Sequence, residues 1–275
     1  MRDKDCVEFL QNHLPRLGLR WAGYRKVRRT VCKRLRRRLR ELGLENFQDY
    51  AALLEQDPDE WCRLAGFCHI PISRFYRDRK VFEILADCVL PELAQTAAAR
   101  RDYQVHCWSA GCASGEEPYS LRIAWSQRAE PAHPKVGIII LATDAEPTML
   151  ARAAQACYGK GSLKDLPRDA LDQAFVSQNG SCCLCPEFKR GITFELRDIR
   201  SQPPEGPFDL ILCRNLVFTY FDEALQAKVL SRLDAQLRPG GYLVIGGHER
   251  LPAGAKEFNA CGKTPSIFRK ASETA

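Results

Sequence analysis

The chain has 275 residues, 45% of them hydrophobic and 27% charged, a balance that fits a soluble globular protein with room for one small domain and one medium one. No apolar run approaches the roughly 20 residues that span a bilayer, and the charged start Met1-Arg2-Asp3-Lys4-Asp5 leads into no signal-peptide core, so no membrane insertion and a cytoplasmic location are expected. The formal net charge is +7, and residues 1–71 hold 15 Lys/Arg against 10 Asp/Glu, which places most of the excess in the first quarter.

Residues 6–13 read as a short helix that ends before Pro15. The strongest helical pattern covers 24–41, where Val27, Val31, Leu35 and Leu39 recur every four residues. Around that stripe stand ten cations and no acid: Arg25, Lys26, Arg28, Arg29, Lys33, Arg34, Arg36, Arg37, Arg38 and Arg40. Gly43 is placed to cap this helix, because glycine tolerates positive φ. Asn46 caps a helix carrying Phe47, Tyr50, Leu53 and Leu54, and Asp57-Pro58 opens another that runs through Leu64. Residues 1–71 are thus expected to form a basic all-helical domain. Its basic helix suits a solvated face. Nucleic acid is possible but less favoured, since no binding motif or aromatic platform accompanies the charge.

From residue 72 the pattern becomes that of an α/β domain extending to 275. A helix over Val81–Leu93 precedes a strand over Tyr103–Trp108, a loop with Gly111 and Gly115, and a helix over Pro118–Gln127. Val136–Ala142 is a nearly unbroken apolar run of the kind buried in a parallel sheet. A helix, a strand over Phe208–Cys213, a helix over Glu223–Leu237 and a strand over Tyr242–Ile245 follow. The alternation predicts a mostly parallel sheet with helices on both faces. Asn179-Gly180 between two apolar stretches predicts a small β-hairpin inserted at about 175–194. Thirteen cysteines are scattered, mostly in apolar segments such as those of Cys88, Cys107 and Cys213. Their odd number argues against a disulfide framework. The cluster Cys182, Cys183 and Cys185 lacks zinc-site spacing and reads as plain hairpin, so no metal is expected.

Three segments carry chemistry. Ser109-Ala110-Gly111-Cys112-Ala113-Ser114-Gly115-Glu116-Glu117-Pro118 joins the first strand to a helix, and its glycines let a ligand approach the backbone beyond the strand ends. It is not the dinucleotide spacing, and the acidic pair Glu116-Glu117 suits a cationic ligand. Asp144 ends the second strand, where an acid accepts hydrogen bonds from both ribose hydroxyls of an adenosine; it also suits the cap of the next helix. Arg238-Pro239-Gly240-Gly241 closes a tight turn before a strand.

Together these segments resemble the CheR-type (chemotaxis receptor) methyltransferases. Residues 109–120 look like that family's glycine loop, Arg74-Phe75-Tyr76-Arg77-Asp78 like its Phe-Phe-Arg-Glu segment, and Phe208–Asn215 followed by Tyr220-Phe221-Asp222 like its fourth strand and sequel. The resemblance spans about residues 6–270. It implies a class I, Rossmann-like methyltransferase fold behind the helical domain, with S-adenosyl-L-methionine as cofactor. It implies cofactor contacts at Ser73, Arg77, Gly111, Gly115, Glu117, Asp144, Arg214 and Asn215, with Asp198 and Ile199 bordering the adenine. Arg77 and Tyr220 would lie near the transferred methyl group. The implied reaction is methylation of glutamate side chains on an acidic, chemoreceptor-like protein docked on the Arg25–Arg40 helix by a monomeric enzyme. The alternatives are a different acceptor outside chemotaxis and a cofactor-binding interaction module. This sequence departs from the family at Pro71, where an asparagine is usual. It has one extra residue within 216–219, and in Gly246-Gly247-His248-Glu249-Arg250 it stands one residue out of step with the usual Gly-His-Ser-Glu-Asn.

Overall fold

The computed structural model describes residues 3–262 and 264–272. Met1-Arg2 of the expected first domain and Glu273-Thr274-Ala275 of the second lie outside them. The chain divides into two compact units: one runs to Ile70 and takes in Thr219–Gln226, the other is Pro71–Phe218 with the chain from Ala227 onward.

The first unit contains α1 (Asp3–His13), α2 (Trp21–Tyr24), α3 (Arg28–Leu42), α4 (Phe47–Gln56) and α5 (Pro58–Phe67). Asn46 and Asp57 cap α4 and α5 by accepting from the Asp49 and Asp59 N–H groups. The single helix expected over 24–41 is instead broken, with a turn at Arg25–Val27 between α2 and α3. A spacing of four residues drifts by about 40° per step on a helix. Val31, Leu35 and Leu39 therefore share a buried face, and Val27 leaves it. More than half of the basic residues are also used internally, Arg40 by donating to the Arg36 carbonyl. Arg34 donates to the carbonyls of Phe67 and His69 at the end of α5, Arg28 and Arg36 pair with Asp3, Arg37 pairs with Glu41, and Arg38 with Glu60.

Thr219–Gln226 completes this unit. The Arg20 N–H donates to the Tyr220 carbonyl (2.8 Å) and the Asp222 N–H to the Gly18 carbonyl (2.8 Å), around a bridge between Leu19 and Phe221. The rings of Tyr24 and Tyr220 lie 5.0 Å apart.

The expectation of free thiols is overturned twice. Cys6 and Cys32 join α1 to α3 in a disulfide with Cα atoms 6.0 Å apart, and Cys157 and Cys183 form a second. The odd total says nothing about which pairs the fold brings together. Closing a span of 26 residues restricts the unfolded chain by about 3.5 kcal/mol, so reductant should lower the unfolding midpoint of the first unit. Thiol titration of the denatured, unreduced protein should find nine free thiols; thirteen would refute both bonds.

The second unit opens with α6 (Arg79–Ile84), a wide π-type turn over Leu85–Val89 and α7 (Leu90–Arg100). The wide turn stands just ahead of Pro91, which has no N–H to continue the ladder and crowds the preceding carbonyls. Along the chain then come β1 (Gln104–Ala110), α8 (Glu116–Ala132), β2 (Gly137–Asp144), α9 (Pro147–Gln155), β3 (Cys157–Tyr158), α10 (Arg168–Ala174), β4 (Phe175–Gln178), β5 (Ser181–Leu184), β6 (Ile192–Leu196), β7 (Phe208–Leu212), α11 (Val217–Tyr220), α12 (Glu223–Gln236), β8 (Leu237–Val244), β9 (Phe258–Ala260) and β10 (Ile267–Lys270), with the end of α11 and the start of α12 counted in the first unit. Among the described residues seven strands form one sheet in the order β6-β2-β1-β7-β8-β10-β9, parallel up to β8 and antiparallel beyond.

Every residue of its central strand β7 is buried, as a strand covered on both faces requires; the one charged member, Asp209, is paired with Arg100 (2.9 Å) and Arg238 (3.2 Å). The expected insert is smaller than 175–194, because Ile192–Leu196 pairs with β2 as the outer strand of the large sheet. The hairpin is β4 and β5 around Asn179-Gly180, and β3 adds a third strand, with Cys157 directly opposite Cys183. Ala110 lies opposite Thr143, and Ser109 opposite Leu212. The carboxyl ends of β1, β2 and β7 therefore reach the same edge, and the segments singled out in the sequence follow from it.

Candidate cofactor site at the carboxyl edge of the sheet

The glycine loop leaves β1 by folding back on β2: the N–H groups of Gly111 and Cys112 both donate to the Thr143 carbonyl (2.8 and 3.0 Å). Gly111 has φ +74°, and a Cβ there would come within 2.5 Å of Leu216. Gly115 has φ +89°, and a Cβ there would meet Ala153 at 2.9 Å and the Tyr158 hydroxyl at 3.2 Å. Both positions favour glycine by conformation, and Gly115 by space as well, since at Gly111 the close atom is the movable end of the Leu216 side chain.

Asp144 stands where the sequence puts it, at the end of β2. One carboxylate oxygen accepts from the Ala113 N–H (2.8 Å) and the other from the Glu146 N–H (2.9 Å). The carboxylate thus clamps the glycine loop. It does not cap α9; that role falls to Glu146, whose side chain accepts from Thr148.

The acidic pair divides. Glu116 is 2% exposed and turned inward, where it accepts from the Ser114 hydroxyl. Burial pushes its carboxyl above the ordinary carboxylate range, against hydrogen bonds that include one from Ser73. Successive helical residues point about 100° apart, so Glu117 faces another way. It accepts from the Ser109 hydroxyl (2.8 Å) and from Arg214 (3.0 Å). Only Glu117 is left to face a cationic ligand, a correction to the paired reading.

Arg214 is the hub. Its side chain is 2% exposed and is bound by Glu117 and by Asp78 (2.9 Å), and it also donates to the Arg77 carbonyl. Phe82 lies against the guanidinium, 5.1 Å from ring centre to its carbon. Burial opposes the charge on Asp78, but Arg214, the Gly247 N–H and Arg77 outweigh it and hold the carboxyl below its usual range. Arg77 itself is half-buried and donates to the Ile72 carbonyl (2.6 Å).

Asn215 follows with a left-handed backbone, φ 58°. Asp198, after β6, is held by the Arg200 N–H (2.8 Å) and guanidinium (2.6 Å), beside the buried Ile199. Tyr220, the other residue expected at the methyl group, ends α11 and packs within the first unit. Sequence reasoning nominated neither Asp78 nor Glu249, although both lie in quoted segments. Their signal was the acid closing Arg-Phe-Tyr-Arg-Asp and the acid three residues after Gly246.

A parallel sheet with one reversed strand, β10, set between β8 and β9, a glycine loop after β1 and an acid ending β2 defines a class I S-adenosylmethionine-dependent methyltransferase. The Arg214 Nε is buried and makes no hydrogen bond among the described residues. Such an orphan donor, in a surround of carboxylates, fits a cofactor bearing both a carboxylate and positive charge. The family model described as "CheR methyltransferase, SAM binding domain" matches residues 72–267, and "CheR methyltransferase, all-alpha domain" matches 25–66. The chain belongs to the CheR methyltransferase family, and its cofactor is S-adenosylmethionine. It is 35% identical to a probable chemotaxis protein methyltransferase of Rhizobium etli, over 85% of this chain and 89% of that one. It is 30% identical to the chemotaxis protein methyltransferase of Listeria monocytogenes, over 90% and 91%. An uncharacterized 104.1 kDa protein of Rhodobacter capsulatus is 34% identical over 87% of this chain, which spans only 25% of that protein.

Proposed function

We propose that this methyltransferase esterifies glutamate side chains of an acidic, chemoreceptor-like protein. What carries the reading is the likeness to chemotaxis protein methyltransferases over 85–90% of the chain. The chemistry asks little of the side chains. A glutamate carboxylate is ionised at neutral pH, so no general base is required. The cofactor supplies a methyl group on a sulfonium leaving group. The protein must bind, align and exclude water.

In this reading Asp144 holds the ribose hydroxyls, Gly111 and Gly115 admit the cofactor to the backbone, and Asp198 and Ile199 border the adenine. Glu117, Arg214, Ser73 and Asn215 hold the amino-acid end. Arg77 orients the acceptor carboxylate. The acceptor docks on the basic helix. Arg25, Lys26, Arg29 and Lys33 are exposed or nearly so and carry no ion pair among the described residues, which leaves their charge for an acidic partner.

Incubation with tritiated cofactor and a lysate of the source organism tests the proposal. The expected product is a labelled protein band that loses its label in base, as a carboxyl methyl ester does. A base-stable label means another acceptor atom, and no label means an interaction module. In the same assay the variant Arg25→Glu/Arg29→Glu/Lys33→Glu should label its acceptor several-fold more slowly at low salt, with unchanged cofactor affinity. Normal labelling makes the helix a solvated face; loss of RNA binding instead favours the nucleic-acid reading.

A further inference from the structure

We propose that Glu249 is a positioning residue for the cofactor: its carboxylate ties the chain leaving β7 to the chain leaving β8 and thereby sets Asn215. This rests on the cofactor reading above. Glu249 is 6% exposed. A single oxygen of its carboxylate accepts from two backbone N–H groups on different strand-end loops, Gly246 at 2.6 Å and Asn215 at 2.7 Å.

The two loops interlock around that oxygen. A Cβ on Gly246 would stand 2.8 Å from it and 3.0 Å from the Asn215 side chain, so the loops approach as closely as their atoms allow. Asn215 holds φ 58°, a left-handed conformation that asparagine adopts more readily than most residues but keeps only where its surroundings enforce it. The N–H bond to Glu249 supplies that enforcement at the residue itself. The same turn reaches the Arg214 hub, because the Gly247 N–H donates to Asp78 (3.2 Å), which binds Arg214. Glu249 thus holds in register the pair Arg214-Asn215.

The geometry predicts graded effects. Glu249→Gln retains an oxygen acceptor of the same reach, and should bind S-adenosylhomocysteine within about threefold of the native protein. Glu249→Asp keeps the charge but withdraws the oxygen by one methylene, and should bind about tenfold more weakly, a loss the size of one charge-assisted hydrogen bond. Calorimetry with S-adenosylhomocysteine reads both, and thermal unfolding checks that each variant is folded. The discriminating measurement is a double-mutant cycle with Asn215→Ala. If Glu249 acts through Asn215, Glu249→Asp adds little to the loss already caused by Asn215→Ala. Additive losses, or native affinity in Glu249→Asp, overturn the proposal. Failure of the native protein to bind S-adenosylhomocysteine would instead strike the cofactor reading on which it rests.

Discussion

Asp144→Ala is expected to weaken S-adenosylhomocysteine binding about 100-fold or more while leaving the protein folded. Two hydrogen bonds from ribose hydroxyls to a carboxylate are each worth roughly 1.5–3 kcal/mol, and each 1.4 kcal/mol is a factor of ten. The same carboxylate clamps the loop through Ala113 and holds Glu146, so its removal also frees the backbone that the cofactor approaches. Asp144→Asn is a sharper probe. Its amide has one oxygen and must turn an NH2 toward one of two backbone donors, so it should bind nearly as poorly as alanine. Unchanged calorimetric affinity in either variant would remove Asp144 from the site.

The largest expected loss of stability lies in the first unit. Glu60 is 1% exposed and takes a two-pronged bond from Arg38 (2.9 and 2.7 Å) and another from the Tyr50 hydroxyl (2.8 Å). Removing one partner of a buried pair costs roughly 3–5 kcal/mol, because the other charge is stranded. A domain of this size has little more than that to lose. Glu60→Ala should therefore unfold the helical unit at far lower urea concentration, read by circular dichroism, whereas Glu60→Met with Arg38→Met should recover much of the loss. Acid should act in the same direction. Burial disfavours the Glu60 charge, but Arg38 and Tyr50 more than compensate, so the folded-state carboxyl sits below its usual range. A carboxyl lowered on folding contributes stability above its unfolded value, near pH 4.3, and loses it as pH falls through the folded one. A urea midpoint that is flat from pH 6 to pH 3 would contradict this.

The legible part of the sequence was the part governed by local rules. The apolar run before Asp144 predicts a strand and Asn46 and Asp57 predict caps, and each is where expected; the strand is not buried throughout, since Ile139 is 40% exposed. Orientation was not legible. Nothing in Glu116-Glu117 says which acid turns inward, because that depends on Ser114 and on burial beneath α8. The cysteine pairs were hidden for a related reason: 26 residues separate each pair, and only packed helices or paired strands bring them together. Strands β9 and β10 are three and four residues long, too short for a period of two to register. Arg34, Arg36 and Arg38 read as free surface charge because their partners Phe67, Asp3 and Glu60 are distant in sequence.

The segment Thr219–Gln226 bears on how the protein is made. The Thr219 carbonyl that accepts from Arg20 lies 199 residues further along the chain. Synthesis runs from the N-terminus at about 5–20 residues per second, so the helical unit, otherwise made by Ile70, waits roughly 8–30 s for its last piece. During that interval Leu19 and Tyr24 lack the partners Phe221 and Tyr220, and most of the catalytic unit emerges from the ribosome first. A gene cut after residue 70 would therefore not yield two self-sufficient halves: the first would lack a segment it folds around, and the second would carry that segment without its partners.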